Sequence, residues 1–92
     1  MAAEPITDYI ISDHAAIELV RRDLSAETID GVLKRPEQQL KVRPGRVVLQ
    51  SRVQESGSEY LVRVFVDIDR NPAEVVTAYR TSKVLKYWRA EV

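Results

Sequence analysis

The residues whose types suit chemistry gather late in the chain. Val75-Val76-Thr77-Ala78-Tyr79-Arg80-Thr81-Ser82-Lys83 passes from an apolar, β-branched stretch into hydroxyls and cations. Arg80, Lys83, Lys86 and Arg89 fall within ten residues that hold no acid. A strand delivering such groups to the entrance of a terminal helix suits a phosphate, because guanidinium forks match its oxygens. An ordinary last strand followed by a solvated helix fits the same residues. His14 is the single imidazole, and imidazole is the one side chain whose unperturbed pKa lies near neutrality. It can move a proton, or simply hydrogen-bond Glu18 one turn further on. The absence of cysteine removes disulfides, thiolate ligands and thiol nucleophiles, and one histidine cannot build a His-rich zinc site. There is no Gly-rich phosphate loop and no Ser/His/Asp ordering. No metal or cofactor is expected.

Ninety-two residues, 45% apolar and 30% charged, suit one domain with one modest core. No run approaches the roughly 18 apolar residues of a membrane span. The first residues, Met-Ala-Ala-Glu-Pro-Ile-Thr-Asp, lack the basic and apolar regions of a signal peptide, so a cytoplasmic location is expected and no membrane partner. Net charge is zero but unevenly spread. Residues 1–30 carry seven acids and two bases, whereas residues 31–63 carry seven bases and three acids. A basic face opposite an acidic one is therefore open to the fold.

The elements that must position these groups are legible in order. Residues 1–8 read as a loose leader, and Tyr9-Ile10-Ile11 as at most a very short strand. Ser12 or Asp13 caps a helix over about 13–23, with Ala16, Leu19 and Val20 on its apolar stripe. Ser25 caps a second, with Ile29, Val32 and Leu33 inward, ending before Pro36. So little chain joins them that an αα-hairpin is expected. The period then changes to two. Gln39–Arg43, Arg46–Val53, Glu59–Ile68 and Ala73–Arg80 read as strands, with turns at Pro44-Gly45, Glu55–Ser58 and Asp69–Pro72. Glu59–Ile68, apolar on most of both faces, should be central. The expected fold is α+β: the αα-hairpin on one face of a four-stranded antiparallel meander, closed by a C-terminal helix with Trp88 as its anchor. The helices would cover Val47, Leu49, Tyr60, Val62, Val64 and Val66. Arg46, Gln50, Arg52, Arg63 and the neighbouring Lys41 and Arg43 would lie on the other face, either binding phosphates or simply facing water.

Asp13-His14-Ala15 opening a helix, Arg21-Arg22-Asp23-Leu24-Ser25 at the break, Pro36 closing the second helix and Val75-Val76-Thr77-Ala78-Tyr79 on the last strand together carry a resemblance. Over about residues 9–88 the chain resembles a domain-of-unknown-function family related to the RelE/ParE/BrnT toxins, within the barnase–EndoU–colicin–RelE nuclease-like superfamily. The resemblance implies a metal-independent endoribonuclease acting as the toxin of a toxin–antitoxin pair, with RNA and an antitoxin protein as partners. Such cleavage needs a base for the 2′-hydroxyl, a cation for the phosphorane and an acid for the leaving oxygen. The implied positions are His14 as base or acid, Arg80 and Lys83 holding the phosphate, and Tyr79 and Thr77 orienting it. Arg46, Arg52 and Arg63 would bind substrate backbone, and Lys86 and Arg89 with Tyr87 would extend the track. The resemblance also covers ParE-type proteins, which inhibit gyrase without cutting RNA. A non-catalytic module of the same fold that binds a protein or nucleic acid is therefore the alternative. A homodimer is a third partnership to consider.

Overall fold

Two serines start the two main helices. The Ser12 hydroxyl accepts from the Ala15 amide (3.0 Å) and opens α1, Asp13–Arg21. The Ser25 hydroxyl accepts from the Thr28 amide (3.1 Å) and opens α2, Ala26–Lys34. Each satisfies an orphan donor of a first turn. Between them the chain folds back on itself. The Leu24 amide reaches the Leu19 carbonyl (2.9 Å) and the Asp23 amide the Val20 carbonyl (3.2 Å), the paired bonds of a Schellman stop. Leu19 and Leu24 are both buried, which is the apolar contact that accompanies this stop. Its left-handed position, where glycine is cheapest, is occupied by Asp23 at φ +53°.

The computed structural model describes residues 3–90. The remaining elements are β1, Tyr9–Ile11; β2, Gln38–Arg43; β3, Arg46–Glu55; β4, Ser58–Asp67; β5, Ala73–Thr81; and α3, Val84–Tyr87. Turn chemistry sets the hairpins. Ser56 and Gly57 both have positive φ (+51° and +78°), as a two-residue hairpin turn requires. Gly45 at φ +83° leaves no room for a side chain, since a Cβ there would lie 2.5 Å from Asp69 Oδ2.

The sheet runs β1-β5-β4-β3-β2, with β4 at its centre. The meander from β2 to β5 is antiparallel, but the sheet is not the expected four-stranded antiparallel one. β1 adds a fifth strand, parallel to β5, pairing Tyr9–Ile11 with Ala73–Val75. Three residues joined to a partner more than sixty positions away leave no local pattern to read. The N-terminal stretch is also tied down. The Ile6 amide bonds the Leu33 carbonyl (2.8 Å), the Glu4 amide bonds Gln39 Oε1 (3.0 Å), and Ile6 packs on the core. The expected loose leader therefore applies to none of residues 4–6, and residues 1–2 lie outside the described residues.

Both helices cover one face, though not as a hairpin packed on itself: α1 lies on β5 while α2 spans β3 and β4. The core joins Ala15, Leu19, Leu24, Ile29, Val32 and Leu33 to Val47, Leu49, Val62, Val64, Val66, Val75 and Ala78. Tyr9 pins β1 to α2 by donating to Asp30 Oδ1 at 2.7 Å. Burial, and secondly that bond, push its phenol up to about 12. The expected C-terminal helix is a single turn. Trp88, just past it, is capped by the Arg52 guanidinium 4.1 Å from its ring centre and does not anchor a helix to the core.

Replacing Asp23 by glycine should stabilise the fold by roughly 0.5–1 kcal/mol, since glycine takes the left-handed conformation without a Cβ penalty. Urea denaturation of both proteins measures it; a less stable glycine variant would show that the Asp23 side chain contributes more than its backbone costs.

Candidate nucleic-acid interface

Alternation along β5 separates the groups that the sequence placed together. Ala78 joins the helix-side core, and Arg80 borders a groove on that side. Tyr79, between them, points to the helix-free face, where its ring stacks on Phe65 with centroids 6.0 Å apart. A bulge shifts the register, so that Phe65 opposes Thr77 while Val66 opposes Val75, leaving Val76 as the extra residue. Thr77 thereby shares the pleat of Tyr79, and where β5 becomes an open edge beyond its pairing with β1 it meets α1. Its hydroxyl donates to Glu18 Oε1 at 2.6 Å and accepts from Arg22 Nη1 at 3.2 Å, and Arg22 also donates to the Ala78 carbonyl at 2.8 Å.

His14 belongs to this helix-side knot. Its Nε2 lies 3.4 Å from Glu18 Oε2, and its side chain is 76% exposed. The hydrogen bond from Thr77, then the charges of Arg22 and His14, hold the Glu18 carboxyl below its ordinary range. Arg80 pairs with Glu55 at 2.7 Å, and Lys83 is exposed beyond the end of β5. The expected cleft uniting His14 with Tyr79, Arg80 and Lys83 is thus not assembled. His14 and Thr77 meet through Glu18 at the edge of β5, while Tyr79 bonds Arg63 and stacks on Phe65 further into the sheet. The period of two is what parts Tyr79 from Arg80, and the contacts of Thr77 with Glu18 and of Tyr79 with Arg63 draw those two side chains apart.

The helix-free face assembles a different set. Arg46 forks onto Asp67 (Nε–Oδ1 2.6 Å, Nη2–Oδ2 3.1 Å), and Arg52 forks onto Glu37 (3.2 and 3.1 Å). Each pair raises the arginine and lowers its carboxylate. Lys41 pairs in register with Val47 and so lies on the helix side at the sheet edge, not with these arginines. Arg63 differs from its neighbours. Among the described residues the half-buried cations are Arg46, Arg63 and Arg80, and Arg63 alone of the three has no carboxylate partner. Its Nε donates to Gln50 Oε1 (2.8 Å) and its Nη1 to the Tyr79 hydroxyl (2.7 Å). Its guanidinium carbon lies 4.4 Å from the Tyr87 ring centre, 5.4 Å from that of Phe65 and 5.8 Å from that of Tyr79.

Gln50 holds this arrangement. It is fully buried, and its amide nitrogen donates to Gln38 Oε1 (2.8 Å) and to the Tyr87 carbonyl (3.1 Å). Gln38, also buried, donates in turn to the Arg89 carbonyl and accepts from the Arg89 amide. These bonds bring Tyr87 onto Arg63. Polar contact with the Tyr79 hydroxyl, then the charge on Lys86 and lastly that on Arg63, hold the Tyr87 phenol below its ordinary value. Lys86 lies with its Nζ 5.3 Å from the Tyr87 ring centre. Arg89 is exposed at the end of the same segment.

Sequence reasoning placed Arg63, Tyr79 and Lys86 among the candidates but missed Gln38 and Phe65, and treated Tyr87 only as a stacking ring. The signal for the glutamine network was present: Gln50 interrupts Val47-Val48-Leu49 in a strand with no solvent-face reason to be apolar beside it. Chemically, the face offers a cation with spare donors, a phenol with lowered pKa, a second phenol and a lysine. No group of three or more His, Cys, Asp or Glu side chains that could hold a metal ion occurs among the described residues. No protein-family model, curated protein or solved structure matches the chain. The RelE-like resemblance therefore rests on the sequence motifs quoted above.

Gln50→Leu keeps the side-chain size but strands Gln38, Arg63 and the Tyr87 carbonyl. It should cost about 1–3 kcal/mol in chemical denaturation and make Trp88 fluorescence more solvent-exposed. Unchanged stability with unchanged emission would show that the network is not what holds this segment. On the other face, the lowered Glu18 carboxyl contributes stability that is complete above the ordinary value of 4.5 and lost as pH falls through the lower folded value. Glu18→Gln should therefore lose less melting temperature than the parent between pH 6 and pH 3, and equal losses would refute the assignment.

Proposed function

We propose that the protein binds RNA on the helix-free face of its sheet and cleaves it there without a metal, by attack of a 2′-hydroxyl on the adjacent phosphate. The observation that carries this reading is Arg63: a half-buried guanidinium with no carboxylate partner, aimed among Phe65, Tyr79 and Tyr87. Its Nη2 donates no hydrogen bond among the described residues and is free to bind a phosphate oxygen and the charge that grows on the phosphorane. Tyr87, whose phenol is held below its ordinary value, takes the 2′-hydroxyl proton as its phenolate; the 2′-oxygen bonds phosphorus as the bond to the 5′-oxygen breaks, and water protonates that leaving oxygen. Lys86 beside it adds positive charge. Half-buried aromatic rings next to cations also suit unstacked bases. The RelE-like resemblance supports the same reaction class. Within a toxin–antitoxin pair, the antitoxin would silence the protein by covering Arg63 and Tyr87.

His14 has no role in this scheme, because its partner is Glu18 on α1 and it makes no contact with Arg63 or Tyr87 among the described residues. The second reading, a non-catalytic binding module, is favoured by the way Arg63 spends Nε and Nη1 inside the protein, as an arginine that braces a surface would.

Incubation of the purified protein with single-stranded RNA in EDTA tests both. Cleavage should leave 2′,3′-cyclic phosphate ends. Tyr87→Phe should slow it by about 10²–10⁴-fold, the usual worth of a general base. Arg63→Ala should weaken both cutting and binding and lower the salt dependence of affinity by about one phosphate contact. His14→Ala should behave as the parent. Salt-sensitive binding without cleavage would leave the module reading, and loss of cutting in the His14 variant alone would return catalysis to the helix side.

A further inference from the structure

Apart from that face, the molecule carries one prominent hole and one prominent knob. The hole is a groove of about 600 Å³ on the helix side, between the α1–α2 corner and the free end of the β3–β4 hairpin. A nine-residue helix spans only about 13 Å whereas the ten-residue strands under α2 span about 33 Å, so the hairpin end is left uncovered. Leu19, Leu24, Val53 and Val62 form its apolar floor, and Val20 stands at its edge with 82% of its surface exposed. Two carboxylates border it: Asp23, which has no ion-pair partner among the described residues, and Glu55, whose partner is Arg80.

The knob is Leu85 in α3, 89% exposed and flanked by Lys83 and Lys86. Leu85 and Val20 are the two most exposed large apolar side chains among the described residues. They lie at the same end of the sheet. Arg80, which borders the groove, pairs in register with Val62, and Thr81 pairs with Leu61, so the chain leaves the groove's rim only a few residues before Leu85. Glu59 of the β3–β4 hairpin shares a shallow depression with Lys83 and Leu85.

We propose that the chain forms a closed, two-fold homodimer in which Leu85 of each copy seats in the α1–α2 groove of the other. Lys83, beside the knob, then meets Asp23 and Glu55 at the rim. Shape and charge are complementary between the two patches and not within either, which is what contact between copies needs. A hole and a knob side by side at one end let a single two-fold axis satisfy both at once, so the assembly closes and does not grow. The contact also gives Asp23 a reason to occupy a backbone position that glycine would fill more cheaply. It buries the two most exposed large apolar side chains among the described residues and leaves Arg63 and Tyr87 outside the groove, so it stands independently of the RNA reading.

Sedimentation equilibrium of the full chain tests it. The parent should dimerise in the micromolar range. Leu85→Asp and Val20→Asp, each at a site so exposed that the fold should be kept, should raise the dissociation constant by about a hundredfold or more, because two buried side chains are lost per dimer. Lys83→Glu should weaken the dimer more in low salt than in high salt. Val42→Asp, 46% exposed on the far edge strand, is the control and should change nothing. Circular dichroism checks that each variant is folded. A parent that stays monomeric at several hundred micromolar would overturn the proposal, as would a dimer indifferent to Leu85→Asp and Val20→Asp or equally broken by Val42→Asp. A ladder of larger species would rule out the two-fold closure.

Discussion

The hydrogen bonds of one buried amide organise the helix-free face. Gln50 sits at 0% exposure in the middle of β3, and such a group is tolerated only if its partners are supplied. They come from three places: Gln38 on the edge strand, the Tyr87 carbonyl on the C-terminal segment, and the Arg63 guanidinium on the central strand. No buried side-chain nitrogen or oxygen among the described residues lacks a partner. The consequence is positional. A terminal segment with only one helical turn of its own is held against the sheet by main-chain bonds to two glutamines, and its Tyr87 is delivered to the one arginine that Gln50 orients.

Charge on that face is distributed by the same logic. Arg46 and Arg52 each fork onto a carboxylate and are thereby neutralised as well as fixed. Arg63 is fixed instead by neutral oxygens and aromatic rings, so its charge remains uncompensated. An uncompensated, preorganised guanidinium is more useful to a bound anion than several paired ones, because no internal partner has to be displaced and no side-chain entropy has to be lost. The zero net charge of the chain is thus compatible with a locally positive face.

The two sides of the sheet are consequently different in kind. On one, short capped helices bury an aliphatic layer and stop before the hairpin end, exposing a groove. On the other, polar and aromatic side chains interlock around Gln50 without a helical layer. His14 and Glu18 belong to α1, and the bond between Glu18 and Thr77 clasps that helix to β5. Arg22, by reaching the Ala78 carbonyl, covers part of the β5 edge beyond the point where β1 ends. That is a protective use of a side chain on an otherwise open strand edge.

The chain by itself determined what depends on neighbours in sequence. Ser12 and Ser25 announce the helix starts, the switch from a period of 3.6 to a period of 2 announces the strands, and Pro44-Gly45 and Ser56-Gly57 announce the turns. Those signals suffice for an α+β fold with an antiparallel meander and β4 at its centre, and for arginines on the face away from the helices. Tertiary structure decided everything that depends on distant partners. The parallel pairing of Tyr9–Ile11 with β5, the placing of α1 on β5 apart from α2, and the ion pairs that silence Arg46 and Arg52 but spare Arg63 join residues tens of positions apart. The bulge at Val76 is the sharpest case. One extra residue puts Thr77 opposite Phe65, on the same pleat as Tyr79, yet at the open edge of β5 its hydroxyl reaches Glu18 of α1 while Tyr79 reaches Arg63. A side chain's face is set by strand register, and register is settled by the partner strand, not by the residues themselves.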